Sequence, residues 1–146
     1  MRDIAIAVLL LAAACSPPPA ATPKAEEFRE GVYLSTAVFE GGQPRPLLVG
    51  TNIQIDFERG FMAASVGCNR MVGPYALDAG RLNIEDGSGM TILACGGTFR
   101  EQQVSWDQDM WLQTFLRSEP AVIATGETLV LDNGSTRVEM RRAAGT

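Results

Sequence analysis

Carboxylates are the side chains with the widest catalytic range in this chain, because its 146 residues include no histidine. Histidine is the commonest general base and metal ligand, so a Ser-His-Asp or Cys-His site is excluded within the chain. Two carboxylate pairs are closely spaced, Asp56 with Glu58 and Asp107 with Asp109. The first pair is predicted on the solvent face of a strand, and residues two apart in a helix do not face each other. We therefore expect solvated carboxylates, with no catalytic residue, metal or cofactor.

Cys15, the first of three cysteines, lies directly after three alanines. A charged start and an apolar run over residues 4–11 precede them, and this pattern is typical of a secretory signal. The run is shorter than the roughly 20 residues that span a bilayer as a helix. The segment resembles a bacterial lipoprotein leader, in which the peptide is cut before the cysteine and the thiol carries lipid. Cleavage after Ala14 without lipidation and a retained leader are the alternatives.

Residues 1–14 are accordingly predicted to be a lipoprotein signal peptide, and residues 15–30 to be the lipidated Cys15 with its tether. The tether is rich in proline, and such sequence is extended and semi-rigid. A lipoprotein cysteine carries several acyl chains, palmitate among them, and more than one chain is needed for stable attachment. We expect a lipid-anchored protein of the cell envelope. If the cell has two membranes, we expect the outer membrane, with the domain facing the periplasm.

Cys68 and Cys95 are an even pair in a chain that is predicted to be exported. Such a pair in an oxidising compartment favours a disulfide. Closing this loop would contribute about 3–4 kcal/mol in the chain-entropy model. Two free buried thiols and a redox pair are the alternatives, although redox motifs usually separate their cysteines by two residues.

The composition is that of one globular domain, with 46% hydrophobic and 20% charged residues. Removal of the leader and tether leaves a length within the usual range for a single domain. The net charge is −5, and lysine and arginine do not cluster. Because a nucleic-acid backbone demands a basic surface, no nucleic-acid partner is expected.

Short strands separated by turn residues are predicted over most of the domain. Ile53, Ile55 and Phe57 alternate with polar residues and should face the core. An Asn-Gly pair at 133–134 is a strong hairpin signal, whereas residues 67–73 are predicted to be tight and irregular. The predicted strands cover residues 32–39, 52–57, 61–66, 74–77, 81–84, 121–124, 128–131 and 137–140.

One helix is predicted over residues 98–117, where Thr98 and Glu101 have the spacing of a capping box. Because tight turns join antiparallel strands, strands with a single late helix indicate an α+β fold. The buried stripe of the helix is predicted to consist of Val104, Trp111, Leu112 and Phe115, with Phe99 and Trp106 at its edges. The residues predicted to face water are Asp107, Gln108 and Gln113.

Several short motifs together resemble the META domain, or HslJ-like, family. The motifs are Gly67-Cys68-Asn69, Gly73-Pro74-Tyr75, Thr-Ile-Leu-Ala-Cys at 91–95, Glu101 ahead of the helix stripe, and Gly-Glu-Thr-Leu-Val-Leu at 126–131. In that family the second cysteine pairs with the first, which implies a Cys68–Cys95 disulfide. Residues 31–142 are predicted to be the META/HslJ-like domain, although Leu93 stands where methionine is common.

The resemblance implies a strongly curved antiparallel sheet, open and barrel-like, packed on one helix at about residues 98–117. It also implies a non-catalytic envelope lipoprotein with a structural or binding role in stress response or drug tolerance. Its expected partners are the membrane, through the N-terminal lipid, and an apolar ligand or an envelope protein. A periplasmic inhibitor of an envelope-directed enzyme such as lysozyme is the alternative, and an enzyme that uses carboxylates alone is a third hypothesis.

Asn69, Gly73 and Tyr75 are the candidate residues of a ligand-binding or structural loop. Gly67 and Gly73 allow a positive φ or the close approach of another segment. Asn69 can hydrogen-bond the local backbone, and the Tyr75 hydroxyl needs a partner if it is buried. We favour a structural role stapled by the disulfide, with ligand binding as the alternative.

Overall fold

The structure is a computed structural model that describes residues 27–93 and 95–144. This part of the chain forms ten strands and one helix. The predicted signal peptide, Cys15 and most of the tether lie outside the described residues. The elements are β1 (Gly31–Glu40), β2 (Gln43–Pro44), β3 (Gln54–Glu58), β4 (Phe61–Ser65), β5 (Arg70–Asp78), β6 (Arg81–Ile84), β7 (Gly89–Met90), α1 (Phe99–Arg117), β8 (Ala121–Thr125), β9 (Thr128–Asp132) and β10 (Thr136–Arg142).

The strands form one antiparallel sheet that closes on itself into a barrel. Its cyclic order is β1-β3-β4-β5-β6-β8-β9-β10, and β10 pairs again with β1. That pairing runs along most of both strands, whereas β6 and β8 pair only at Arg81 and Ala121. The short strands β2 and β7 attach to β1 and β5. The predicted curved antiparallel sheet with one helix is confirmed, and strand pairing closes it further than the open form that was expected.

Local sequence explains the hairpins. Ile53, Ile55 and Phe57 are buried as predicted, so the alternation of β3 places one face in the core. Arg59 and Gly60 both have positive φ in the β3–β4 turn, as a two-residue turn between twisted strands requires. At the β9–β10 connection, the Asn133 side chain accepts a hydrogen bond of 2.7 Å from the backbone N–H of Thr136. These turns fix the register of the strands they join.

Helix α1 begins where the sequence predicts. Thr98 is its N-cap, and the Glu101 carboxylate accepts a hydrogen bond of 2.6 Å from the backbone N–H of Thr98. The Thr98 hydroxyl in turn accepts from the backbone N–H of Glu101, which completes the capping box. The helix ends at Arg117, shortly before Pro120, which cannot continue a helix.

The buried face of α1 differs from the prediction. Leu112 and Phe115 are buried as expected and Trp111 is partly buried, but Val104 is exposed and Gln108 is buried. The middle of the helix lies against the segment between β4 and β5, where Gln108 donates to the Val66 carbonyl and Asp109 accepts from the Asn69 N–H. Polar side chains therefore take these inward positions, and Val104 points outward. The buried residues of α1 are Gln108, Asp109, Leu112, Phe115 and Leu116.

The irregular stretch predicted at residues 67–73 is shorter than expected. Strand β5 begins at Arg70 and pairs with β4 as far back as Ser65. Pairing with β7 on its other side extends the ladder over Met71 and Val72. Backbone pairing on both sides therefore overrides the turn-like composition of this segment, and only residues 66–69 remain outside a strand.

Candidate functional site

A disulfide joins Cys68 to Cys95, with their Cα atoms 5.6 Å apart. Cys68 lies just before β5, and Cys95 lies three residues before the N-cap of α1. The bond therefore ties the entry of the helix to the rim of the barrel. The alternative of two free thiols therefore does not describe these two residues.

Asn69, next to the disulfide, is almost fully buried and holds two segments at once. Its backbone N–H and its side-chain amide donate to Oδ2 of Asp109 over 2.9 and 3.1 Å. Its side-chain oxygen accepts from the backbone N–H of Leu93 over 2.8 Å. Asn69 thus connects β5, the segment before α1 and the middle of the helix. The buried location explains why an amide with both donors and an acceptor is used here.

Asp109 is 3% exposed, so the predicted location of this residue on the solvated surface is wrong. It belongs to a helical stripe with Ser105, Leu112 and Leu116, at spacings of four, three and four residues. Its Oδ2 serves Asn69, whereas Oδ1 has no hydrogen-bond partner among the described residues. The sequence places Asp109 at a helical spacing from Leu112 and Leu116, but an aspartate is almost never fully buried unless it is paired, so a buried location was not predicted.

Gly67 supplies the room in which Asp109 sits. A Cβ atom at this position would lie 2.8 Å from both Oδ1 of Asp109 and the hydroxyl of Ser105. The glycine is therefore needed for close approach of the helix and not for a positive φ. A positive φ and the close approach of another segment were both predicted for this glycine, and the structure shows the close approach.

Gln108 attaches the helix to a second part of the barrel. Its side-chain amide donates to the Val66 carbonyl over 2.9 Å and to the Thr51 hydroxyl over 3.2 Å. Its side-chain oxygen accepts from the backbone N–H of Leu48 over 2.9 Å. The predicted solvent-facing location of Gln108 is therefore wrong, because this residue satisfies backbone groups that the helix buries.

Tyr75 lies six residues along β5 from Asn69, or about 20 Å at the rise of a strand. Its hydroxyl donates to the carboxylate of Glu30 over 3.0 Å, and its ring packs edge-on against Phe28 and Phe57. The pKa of the Tyr75 hydroxyl is raised well above its usual value. The larger cause is burial of the hydroxyl, and the smaller cause is its hydrogen bond to Glu30. Tyr75 therefore closes the end of the barrel opposite to Asn69.

Gly73, between these two residues, is buried against Ser88. A Cβ atom at Gly73 would lie 2.6 Å from the Cα of Ser88. Asn69, Gly73 and Tyr75 consequently contact three different parts of the molecule and do not converge on one site. A ligand role for this segment stays a prediction.

Glu30 was not singled out by the sequence, yet it organises the end of the barrel at Tyr75. Its carboxylate accepts from the backbone N–H groups of Arg59 and Gly60 over 2.8 and 3.1 Å. These two bonds, together with the Tyr75 hydroxyl, hold the pKa of Glu30 below its usual value. A carboxylate at the start of β1 carries no local signal for such a role, because its partners are 29 or more residues away.

Trp111 also has polar partners that its spacing did not indicate. Its indole N–H donates to Glu40 over 3.1 Å, and the guanidinium of Arg45 lies 4.2 Å from the ring centroid. Arg45 donates to the same carboxylate over 2.6 Å. The Trp111 and Arg45 contacts lower the pKa of Glu40.

The two predicted carboxylate pairs lie on different elements of the structure. Asp56 and Glu58 lie on β3, whereas Asp107 is on the outer side of α1. Among residues 27–93 and 95–144, no group of three or more histidine, cysteine or acidic side chains could hold a metal ion. No helix in the described part of the chain has both the length and the apolar character to cross a membrane.

Two solved structures share this fold. A protein from Burkholderia xenovorans, solved by NMR, aligns with a TM-score of 0.62 and 21% identity over 96% of this chain and 100% of its own. A second protein solved by NMR aligns with a TM-score of 0.55 and 19% identity, over 80% of this chain and 92% of its own. No curated protein matches the chain. The META domain profile matches residues 26–145, and the chain therefore belongs to the META domain family.

Proposed function

We propose that this protein is an envelope lipoprotein whose META domain has a non-catalytic role in tolerance of envelope stress or drugs. One observation supports the proposed lipid anchor at Cys15. The sequence contains three cysteines, and the disulfide uses Cys68 and Cys95. Cys15 therefore has no cysteine left to pair with inside the chain, and it lies directly after an apolar run and a small-residue cleavage region.

The disulfide supports the export step. Such bonds form and persist in oxidising compartments, including the bacterial periplasm, and are rare in the cytosol. A domain that contains a disulfide and follows a leader-like segment is consistent with translocation before folding. The proposal places the domain on the outer membrane, facing the periplasm, if the cell has two membranes.

The use of the buried polar groups supports a structural or binding role. Asn69, Gln108 and Asp109 are each buried and each connect α1 to the barrel. Glu30 is held by two backbone N–H groups of the β3–β4 turn. These groups hold elements of the fold together, which supports a structural role for them.

The role is tested by deletion of the gene and complementation with three alleles. We expect deletion to raise sensitivity to drugs, detergent or heat, and the wild-type allele to restore resistance. Cys15→Ser should fail to complement although its domain is folded, because the protein is no longer held at the membrane. Asp107→Asn, an exposed change on the same domain, should complement fully. A deletion strain that is as resistant as its parent under every condition would contradict the proposed role.

Cell fractionation tests the anchor separately. Wild-type protein should be found with the membranes and Cys15→Ser protein in the soluble fraction. Equal release of both proteins into the soluble fraction would contradict the anchor, whatever the phenotype of the deletion strain.

A further inference from the structure

The outward face of α1 has an apolar flank and a charged flank along the first part of the helix. Phe99, Trp106 and Met110 are exposed on the apolar flank, at spacings of seven and four residues. Arg100 and Asp107 are exposed on the charged flank, seven residues apart. We call this surface the α1 ridge, and it consists of Phe99, Arg100, Gln103, Trp106, Asp107 and Met110.

Helix geometry fixes where these side chains lie on the ridge. Successive residues are rotated by about 100° around the helix axis and displaced by about 1.5 Å along it. The three apolar positions therefore lie within about 40° of one another, and the two charged positions lie within about 20° of each other. Gln103 is between the two flanks, about 40° from Phe99 and from Asp107. The two flanks consequently run side by side along the helix.

The two charged residues of the ridge have no salt bridge among the residues that the structure describes. Asp107 accepts a long hydrogen bond of 3.4 Å from the side-chain amide of Gln103, which is in the same helix. Both charges are thus available to a partner beside exposed apolar groups. Such a partner has to present an apolar flank and, next to it, one acidic and one basic group in the complementary order.

A second copy of α1 presents this pattern when the two helices run antiparallel across a two-fold axis. In an isologous contact the same patch of both copies is used, and each residue meets the residue at the equivalent distance on the other side of the axis. With the axis midway between residues 103 and 104, Arg100 and Asp107 lie at equal distances of about 5 Å on either side of it. Arg100 of each copy therefore faces Asp107 of the other copy.

The apolar flanks interlock in the same arrangement. Phe99 lies about 7 Å from the axis on one side, and Trp106 and Met110 lie about 4 and 10 Å from it on the other side. Phe99 of one copy therefore fits between Trp106 and Met110 of the other. The two Gln103 side chains meet near the axis, where each amide can both donate and accept. A parallel pair would instead bring each charge onto its own copy, which is repulsive.

We infer that the α1 ridge is a homodimer interface, in which two copies pack helix against helix in antiparallel orientation. This interface does not depend on the proposed lipid anchor. Because the contact is confined to about three turns of one helix, it is smaller than a standard interface of about 800 Å² per partner, and the dimer is weak. Copies that are tethered to one membrane would meet at a higher effective concentration.

Disulfide cross-linking tests the interface with one cysteine placed near the two-fold axis. The Cys15→Ser chain, expressed with its leader, retains only the two cysteines of the disulfide. In this background Gln103→Cys should form a covalent dimer several-fold faster than Glu58→Cys, which places a thiol at an exposed site on β3. Equal rates for the two variants would overturn the proposed interface.

Charge reversal in the Gln103→Cys background tests the antiparallel orientation. Arg100→Asp and Asp107→Arg should each slow cross-linking several-fold, because each brings like charges together across the axis. The two reversals combined should restore the rate, since opposite charges then face each other again. Asp107→Asn should have little effect, because an exposed ion pair contributes weakly. A combined variant that is as slow as the single reversals would contradict the antiparallel register.

Analytical ultracentrifugation of the Cys15→Ser protein measures dimerisation without a cross-link. A monomer–dimer equilibrium is expected over about 1–100 µM protein, and Phe99→Ser should shift it to the monomer. Phe61→Ser, which removes an aromatic ring that is also exposed but lies at the start of β4, should leave it unchanged. Circular dichroism checks that every variant is folded. Protein that stays monomeric over this range, or a dimer that Phe99→Ser does not weaken, would overturn the inference.

Discussion

The carboxylate of Asp109, in the middle of helix α1, accepts hydrogen bonds from both the backbone N–H and the side-chain amide of Asn69. Both residues are almost fully buried. Asn69 lies next to Cys68, so a covalent bond and a pair of buried hydrogen bonds hold the same corner of the barrel. The helix is therefore attached to the barrel by polar contacts at its middle and by apolar packing of Leu112, Phe115 and Leu116 in its second half.

Asp109→Ala should destabilise the domain by about 1–3 kcal/mol, because it leaves two buried donors of Asn69 without an acceptor. Asp109→Asn retains an acceptor oxygen and should cost less. Asp107→Asn, two residues away on the exposed side, should change stability by no more than about 0.5 kcal/mol. Urea unfolding of the three proteins gives the comparison. An Asp109→Ala protein as stable as wild type would show that the Asn69–Asp109 contact does not hold the helix.

Gly67→Ala should cost about 1–3 kcal/mol, because the added Cβ would lie 2.8 Å from side-chain oxygens of Asp109 and Ser105. Gly89→Ala is the matched change, since a Cβ there meets nothing within 4 Å. It should be neutral or slightly stabilising. Thermal unfolding of both variants measures the difference. Equal midpoints for the two variants would contradict the close approach of α1 to Gly67.

Reduction of the Cys68–Cys95 disulfide should lower the free energy of unfolding of the domain. Replacing both Cys68 and Cys95 by serine removes a cross-link across 27 residues and should cost about 3–4 kcal/mol in the chain-entropy model. The measurement is the urea midpoint of the double variant, compared with that of wild-type protein with and without a reducing agent. Cys15→Ser is the control, and its midpoint should match wild type because Cys15 is not in the disulfide. A reductant effect that persists in the double variant would point to another cause.

Stability should depend on Glu30 in a pH-dependent way. Backbone N–H groups of Arg59 and Gly60 lower its pKa in the folded state from the ordinary value of 4.5. A carboxyl group with a lowered pKa contributes stability above its unfolded pKa, and loses that contribution as pH falls through the folded pKa. Wild-type protein should therefore exceed Glu30→Gln in stability at pH 7, and the gap should close below about pH 4.

Urea unfolding of wild-type and Glu30→Gln protein at several pH values gives this comparison. Glu58→Gln is the matched change, since Glu58 is exposed and lies at the end of β3, next to the turn that Glu30 contacts. Glu58→Gln should follow the wild-type curve more closely than Glu30→Gln does. A gap between wild type and Glu30→Gln that stays constant from pH 7 to pH 3 would contradict the role assigned to the Glu30 carboxylate.

The sequence predicted the parts of the fold that depend on local signals. The alternation of Ile53, Ile55 and Phe57, the Asn-Gly turn at 133–134 and the capping box of Thr98 each depend on residues close in the chain. The structure contains all three. The closure of the barrel by β1 and β10 was not predicted, because it joins residues about a hundred positions apart.

The buried face of α1 was mispredicted for a physical reason. Hydrophobicity identified Val104 as an inward position, yet the barrel presents backbone groups to the middle of the helix, and Gln108 and Asp109 form hydrogen bonds with them. Which polar side chains meet such groups depends on tertiary contacts that span 40 or more residues. The candidate residues Asn69, Gly73 and Tyr75 were correctly singled out as a motif, but their different partners could not be read from their proximity in sequence.

The intact mass of the mature protein, recovered from membranes, tests the central claim most directly. We predict a chain that begins at Cys15 and is heavier than residues 15–146 by the mass of a diacylglyceryl group and an amide-linked acyl chain. Cys15→Ser protein should lack that added mass. A wild-type mass equal to an unmodified chain, wherever it begins, would contradict the proposed lipid anchor.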